Sequence, residues 1–261
     1  MLAHLRSTGH VAETLALQFR RAVLWNATSG FLQPLLFLLG LGVGVGTLVD
    51  RNVGSAESLG GLTYAAFVAP GLLATAAMTS GSGECMWPVL GRFKWDRTYH
   101  AMAATPITPA DIVLGQLAWL TIRLFGTTTA IALVLACVPQ TRSSGLLVAV
   151  PAAVLCGLAM SMPVAWFSSR VERDNSFAAY QRFVVNPLFL FGDAFYPIGQ
   201  LPGWLQTVIR VTPLWHGIEI ARSATTHTLG TVDVAHAAYL AAWVVVATVL
   251  CIASFTTRLE R

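Results

Sequence analysis

Six apolar runs, each close to the length of a bilayer crossing, limit what this chain can fold into. They are Phe31–Val49, Leu62–Gly83, Ile112–Val138, Gly145–Phe167, Phe183–Leu201 and Val234–Thr256. A membrane-spanning helix needs about 20 such residues. Among the six runs, the only charged residues are Arg123 in Ile112–Val138 and Asp193 in Phe183–Leu201. The internal prolines (Pro34, Pro70, Pro151, Pro163 and Pro187) are compatible with spans, because neighbouring groups in a bundle satisfy the freed carbonyls. Charged residues make up 11 % of the chain and hydrophobic ones 55 %. Soluble domains carry roughly 25 % charge, and a water-exposed surface could not be covered by so few charges. The chain reads as an all-α integral membrane protein, one transmembrane domain over residues 1–261.

The net charge is +4, but the basic residues sit in short loops between apolar runs. That pattern sets topology and argues against a nucleic-acid partner. With the N-terminus inside, the inner segments hold eleven Lys and Arg and the outer segments four, with Arg123 inside a span. The bias predicts both termini on the cytoplasmic side of the membrane. The N-terminal stretch has no short apolar core followed by a small-residue cleavage site, so it is not read as a signal peptide. The four cysteines, each in or at the end of an apolar run and none in C-x-x-C spacing, read as small buried residues.

Three further segments are not spans. Residues 10–25 repeat Val11, Leu15, Phe19 and Val23 every fourth position, with Glu13, Arg20 and Arg21 on other faces and Trp25 at the end. This pattern predicts an amphipathic interface helix; an early start of the first span is the alternative. Residues 202–227 are divided by Pro202 and Pro213 into two pieces too short to cross. They predict an outer helical hairpin dipping back into the membrane. The third segment, GRFKWDRTYHAMAATPITPAD (Gly91–Asp111), gathers charge, aromatics and the only lysine, Lys94. It predicts a cytoplasmic helix over 93–104, with Pro106 and Pro109 closing it and Pro109 opening the next helix. Two readings stand for it: a docking surface, or a loop whose basic residues only set topology.

Missing chemistry narrows the function. A Walker A loop needs a lysine in G-x-x-x-x-G-K-[ST], and Lys94 lies between Phe93 and Trp95. The run GLGVGVG (Gly40–Gly46) has the wrong spacing for a dinucleotide loop, but its Gly40/Gly44 and Gly42/Gly46 pairs suit close helix packing. No H-E-x-x-H, G-x-S-x-G or G-x-G-D motif is present, and the six histidines lack metal-ligand spacing. A membrane enzyme is therefore disfavoured, and no metal or cofactor is expected in this chain. Intramembrane polar groups are costly and mark candidate function. Glu84 and Arg123 read either as functional groups or as an internal ion pair. Asp193 has no obvious partner at its depth, with Arg210 or Arg222 of the hairpin as candidates. Asn26, Gln33 and Asn186 add neutral polarity.

Two stretches carry a family resemblance. One is ECMWPVLGRFKWDRTYHAMAATPITPADIVLGQLAW, from Glu84. The other is NPLFLFGDAFYPIGQLPGWLQTVIRVTPLWHGIEIAR, Asn186 to Arg222. The chain resembles the type-2 ABC transporter permeases, in the branch of drug-resistance and nodulation-factor exporters. The resemblance implies a transport subunit without enzymatic activity of its own. It further implies a second permease, the same or homologous, and two separate ATPase subunits that carry ATP and Mg. It implies a coupling segment that seats on the ATPase, here Arg92, Phe93, Lys94, Trp95, Asp96, Arg97, Tyr99, His100, Thr105 and Pro106. The interface helix with Glu13, Arg20 and Arg21 would touch the ATPase too. A path or gate between two permeases would involve Asn26, Gln33, Glu84, Arg123, Asn186, Asp193, Tyr196 and Pro197. The outer hairpin, with Pro202, Trp204, Pro213, His216, Glu219 and Arg222, would help close the exit. The implied substrates are amphipathic drugs, lipids or glycolipids. Asp193 departs from the small neutral residue usual there, and admits a cationic substrate or a hairpin arginine as its partner. An ion-coupled carrier using Glu84, Arg123 and Asp193 is the alternative, although the two halves show no inverted repeat in span spacing.

Overall fold

The computed structural model describes residues 2–20, 36, 40, 44, 61–172 and 174–260, all of whose regular elements are helical. The described helices are α1 (Leu2–Arg20), α2 (Tyr64–Cys85), α3 (Trp87–Lys94), α4 (Thr98–Ala103), α5 (Pro109–Cys137) and α6 (Leu146–Ser168). They continue as α7 (Asn175–Tyr180), α8 (Asn186–Phe191), α9 (Gly203–Val211), α10 (Pro213–Thr225) and α11 (Thr231–Leu259). Among the described residues four helical stretches are long and apolar enough to cross a membrane: Tyr64–Lys94, Pro109–Cys137, Leu146–Ser168 and Thr231–Leu259. The expected first span (31–49), with Gln33, lies outside the described residues apart from three isolated positions, as do Arg21, Trp25, Asn26, Gly42 and Gly46.

α2 and α6 form the buried centre, and small side chains let them approach. A methyl group at Gly157 would come within 2.9 Å of Ala77 Cβ, and one at Gly81 would collide with Ser161. Close approach through small residues is how helices pack where lipid removes the hydrophobic drive. α5 and α11 flank this centre and expose Ile122, Phe125, Leu133, Val245, Val246 and Val249. Those apolar faces fit lipid or another apolar surface.

Several boundaries differ from expectation, each for a local reason. The N-terminal helix begins at Leu2 rather than near residue 10. Its Val11 and Leu15 are fully buried, and Gly115 of α5 provides the room for Val11. The fifth run does not form one helix over 183–201. The helix enters the run from α7 through a π-turn at Gln181–Val185, continues as α8 and stops at Phe191. Pro187 has no N–H and its ring crowds the carbonyl four residues back, so the widened turn just before it relieves that clash. The predicted helix over 93–104 is two helices, α3 and α4. Trp95 and Asp96 N–H both bond Gly91 O, at 2.8 and 2.9 Å, and Arg97 sits at φ +51°, which closes a tight tip between them. Pro109 and a Thr108–Asp111 capping box start α5 as its sequence signals predict. The hairpin divides at Thr212–Pro213 into α9 and α10, as its prolines predict.

Candidate functional site

Near the C-terminal end of α2, Glu84 is 7 % exposed and lies between two arginines. Arg123 of α5 donates from Nη1 to Glu84 Oε2, and Arg92 Nη2 of α3 is 3.7 Å from Oε1. Trp119 Nε1 donates to Oε1 at 3.5 Å. The opposed charges offset a desolvation cost that an isolated carboxylate could not bear. Arg92 also reaches Gln116 Oε1 and Gln18 Oε1, each at 3.3 Å, and Tyr99 O–H donates to Gln116 Oε1 at 3.2 Å. Burial pushes the Tyr99 phenol above its ordinary range, which keeps it a proton donor. Phe19 of α1 covers the cluster: the Arg123 guanidinium lies 4.5 Å from its ring centre, and Trp119 is 5.4 Å away. One network thus joins α1, α2, α3, α4 and α5.

This network corrects the expectation for the charged stretch. Arg92, Phe93 and Tyr99 are buried rather than docking residues. Phe93 meets Tyr99 and Phe255 edge-on, at 4.8 and 4.7 Å between ring centres. The Arg258 guanidinium sits 4.4 Å over Phe93. The exposed part is the tip of Lys94, Trp95, Asp96 and Arg97, with His100, Thr105 and Pro106 beside it. Trp95 is 59 % exposed, unusual for so large an apolar side chain. Lys94 Nζ donates to Glu172 O at 3.0 Å, which ties the tip to the α6–α7 loop. Glu13 is exposed and faces His10 at 3.6 Å, while Arg20 closes α1.

At the opposite end of the bundle, Asp193 is 3 % exposed and adopts φ +69°. Aspartate tolerates this left-handed conformation better than most residues. Its Oδ1 accepts from Ile198 N at 2.8 Å. Arg222 of α10 donates at 2.7 Å to both its Oδ2 and its carbonyl oxygen, and at 2.9 Å to Glu219. The guanidinium also lies 4.2 Å over the ring of Phe67. Burial raises the Glu219 carboxyl above its ordinary value, against the lowering pull of Arg222. Of the two candidate partners, Arg222 pairs with Asp193; Arg210 is exposed. Tyr196 and Pro197 are half-buried in the same corner, Asn186 is exposed and bonds Gln181, and Pro202 and Trp204 are exposed on the hairpin. Pro213 is buried.

Sequence reasoning missed a histidine pair and the polar hub at Gln116. His216 of α10 and His236 of α11 meet at 2.6 Å between Nδ1 atoms, with Tyr239 stacked 4.0 Å from His216. Burial, with His236 alongside, lowers the His216 pKa. A signal for Gln116 existed: it precedes Arg123 by two helical turns, on the same face of α5.

The family model for the ABC-2 type transporter matches residues 12–225. The chain is 34 % identical over 206 residues to Nodulation protein J of Rhizobium meliloti, covering 79 % of this chain and 76 % of that protein. It is 34 % identical to Nodulation protein J of Rhizobium leguminosarum bv. trifolii, covering 78 % and 75 % respectively. To that of Azorhizobium caulinodans it is 24 % identical, covering 83 % and 82 %.

Proposed function

The chain belongs to the ABC-2 type transporter family, a membrane permease of an ABC exporter, and from that premise we propose how it is driven and what it moves. It is the membrane-spanning subunit of an ATP-driven exporter for an amphipathic drug, lipid or glycolipid. It works beside a second permease and two ATPase subunits that bind ATP and Mg. Its basic end faces the cytoplasm, as the loop charges favour.

The observation that carries this reading is the pairing of an exposed tip with a buried support. Trp95 and Arg97 are exposed and Lys94 is exposed beside its bond to Glu172, while Arg92, Phe93 and Tyr99 behind them lock onto α2, α5 and α11. A partner shifts a conformational equilibrium only through contacts that differ between its states. A tip rigidly backed in this way would pass such a difference to the spans. Aromatic and arginine side chains are also the usual anchors of protein interfaces.

The alternative, an ion-coupled carrier, needs carboxylates free to exchange a proton or cation. Glu84 and Asp193 are both engaged by arginine, which favours the ATP-driven reading.

The test replaces Lys94, Trp95 and Arg97 together by Ala, leaving Arg92 in place. Loss of ATPase co-purification from a chain with unchanged thermal stability is the expected outcome. Unchanged association would remove the tip from the interface.

A further inference from the structure

A cleft of about 390 Å³ opens where the loop after α6 meets the last turns of α11, lined by Ser169, Arg170, Glu172, Ser254, Thr257 and Arg258. Its two cations are held from behind. Arg170 Nε bonds Ser254 Oγ at 3.4 Å, and its guanidinium stacks 4.6 Å from the ring of Trp166. Arg258 directs Nη1 to the carbonyls of Ser168 and Ser169, at 3.2 and 2.6 Å, which caps the end of α6. The hydroxyls are already committed. Ser169 bonds Trp166 O and Ser254, and so serves to fix Arg170. Both Nη atoms of Arg170 and Nη2 of Arg258 carry no hydrogen bond among the described residues. Glu172 lines the same cleft and its charge acts on Arg258, but no ion-pair contact joins it to either arginine among the described residues.

Oriented guanidinium groups with unused donors suit a tetrahedral oxyanion. The cleft lies at the C-terminal ends of α6 and α11, two helices long and apolar enough to cross a membrane, and the end of such a helix meets the headgroup layer. Basic pockets between spans at this depth bind acidic headgroups. We propose that this cleft is a phosphate-binding site that takes the phosphodiester of an anionic phospholipid headgroup. The site stands on its own geometry and does not depend on the transport reading.

The test uses the purified, delipidated full-length protein in detergent and native mass spectrometry. Phosphatidylglycerol and phosphatidylcholine are titrated in turn, and inorganic phosphate is titrated separately. The expected result is preferential retention of phosphatidylglycerol. Arg170→Gln should weaken it about fivefold, the scale of one basic residue at an acidic membrane surface. Glu172→Gln should strengthen it, because it removes the competing carboxylate. Arg142→Gln, at the opposite end, should leave it unchanged. Arg170 and Glu172 are exposed, so both variants are expected to fold, and a thermal melt checks this. Arg170-dependent binding of inorganic phosphate without lipid preference would keep the phosphate site and overturn the lipid assignment. Retention equal in Arg170→Gln, Glu172→Gln and the unaltered chain would overturn the site.

Discussion

Glu84 and Asp193 are both buried carboxylates gripped by arginine, but the chain builds their two sites by different means. Glu84 sits in the last turn of α2, and its partners Arg92, Trp119 and Arg123 project from neighbouring helices. The backbone breaks at Met86 between Glu84 and Arg92, but only side chains touch the carboxylate. Asp193 sits at a corner with φ +69°, and Arg222 reads its backbone carbonyl as well as its carboxylate. At that corner the backbone is part of the site. The first arrangement ties five elements together beneath the exposed tip. The second pins the end of the fifth helical run to the hairpin, close to Gly71 of α2, where a methyl group would lie 2.7 Å from Ala194 Cα.

The contrast can be broken at each end. Glu84→Gln leaves two buried guanidinium groups without a counter-charge, and should cost about 3 to 5 kcal/mol of stability in detergent unfolding. Replacing Glu84 and Arg123 together by Leu should recover about half of that loss, since one stranded guanidinium group then leaves with the carboxylate and Arg92 remains. Full loss in the double variant would show that Arg92, not Arg123, is the counter-charge that matters. Arg222→Met strands Asp193 and its carbonyl, and should cost about 2 to 4 kcal/mol by the same assay. The backbone claim is sharpened by comparing Asp193→Gly with Asp193→Val. Both lose the carboxylate, but only glycine accepts the left-handed conformation without strain. The valine variant should therefore be less stable by about a further 1 to 2 kcal/mol. Equal stabilities would show that the corner tolerates any backbone.

A smaller effect separates the hairpin from the rest. The His216 pKa is held below its ordinary value of about 6.5 by burial and by His236. The unfolded chain then binds the extra proton first as pH falls. The contribution of the neutral imidazole to stability is full above about pH 6.5 and is lost as pH drops toward the lowered folded value. Unfolding midpoints should decline over that window, and His216→Gln should flatten the decline. Tyr239 stacks on His216 and the Arg210 backbone bonds it; Glu219, one turn along α10, is committed to Arg222, and Glu219→Gln should leave the window in place.

Much of the helical arrangement was legible. The apolar runs gave α2, α5, α6 and α11, and prolines gave the break in the hairpin. The Glu84–Arg123 pair was one of two readings, because a lone charge inside an apolar run, Arg123, needs a partner and Glu84 borders the preceding run. Arg92 was assigned to the surface because composition marks a charged stretch without saying which of its faces turns inward. Val89 and Phe93, four apart and both buried, carry that information, and Arg92 shares their face. The Asp193 corner was hidden inside an apolar run, since hydropathy does not register a reversal of φ. The histidine pair was out of reach because its members lie on different helices with no shared local period.

The most direct test of the central claim follows a fluorescent amphipathic probe in inside-out vesicles. The chain is reconstituted with an ATPase subunit, and ATP and then a protonophore are added. Uptake should require ATP, survive the protonophore and be lost when Lys94, Trp95 and Arg97 are replaced. Uptake that needs no ATPase subunit and collapses with the proton gradient would contradict it.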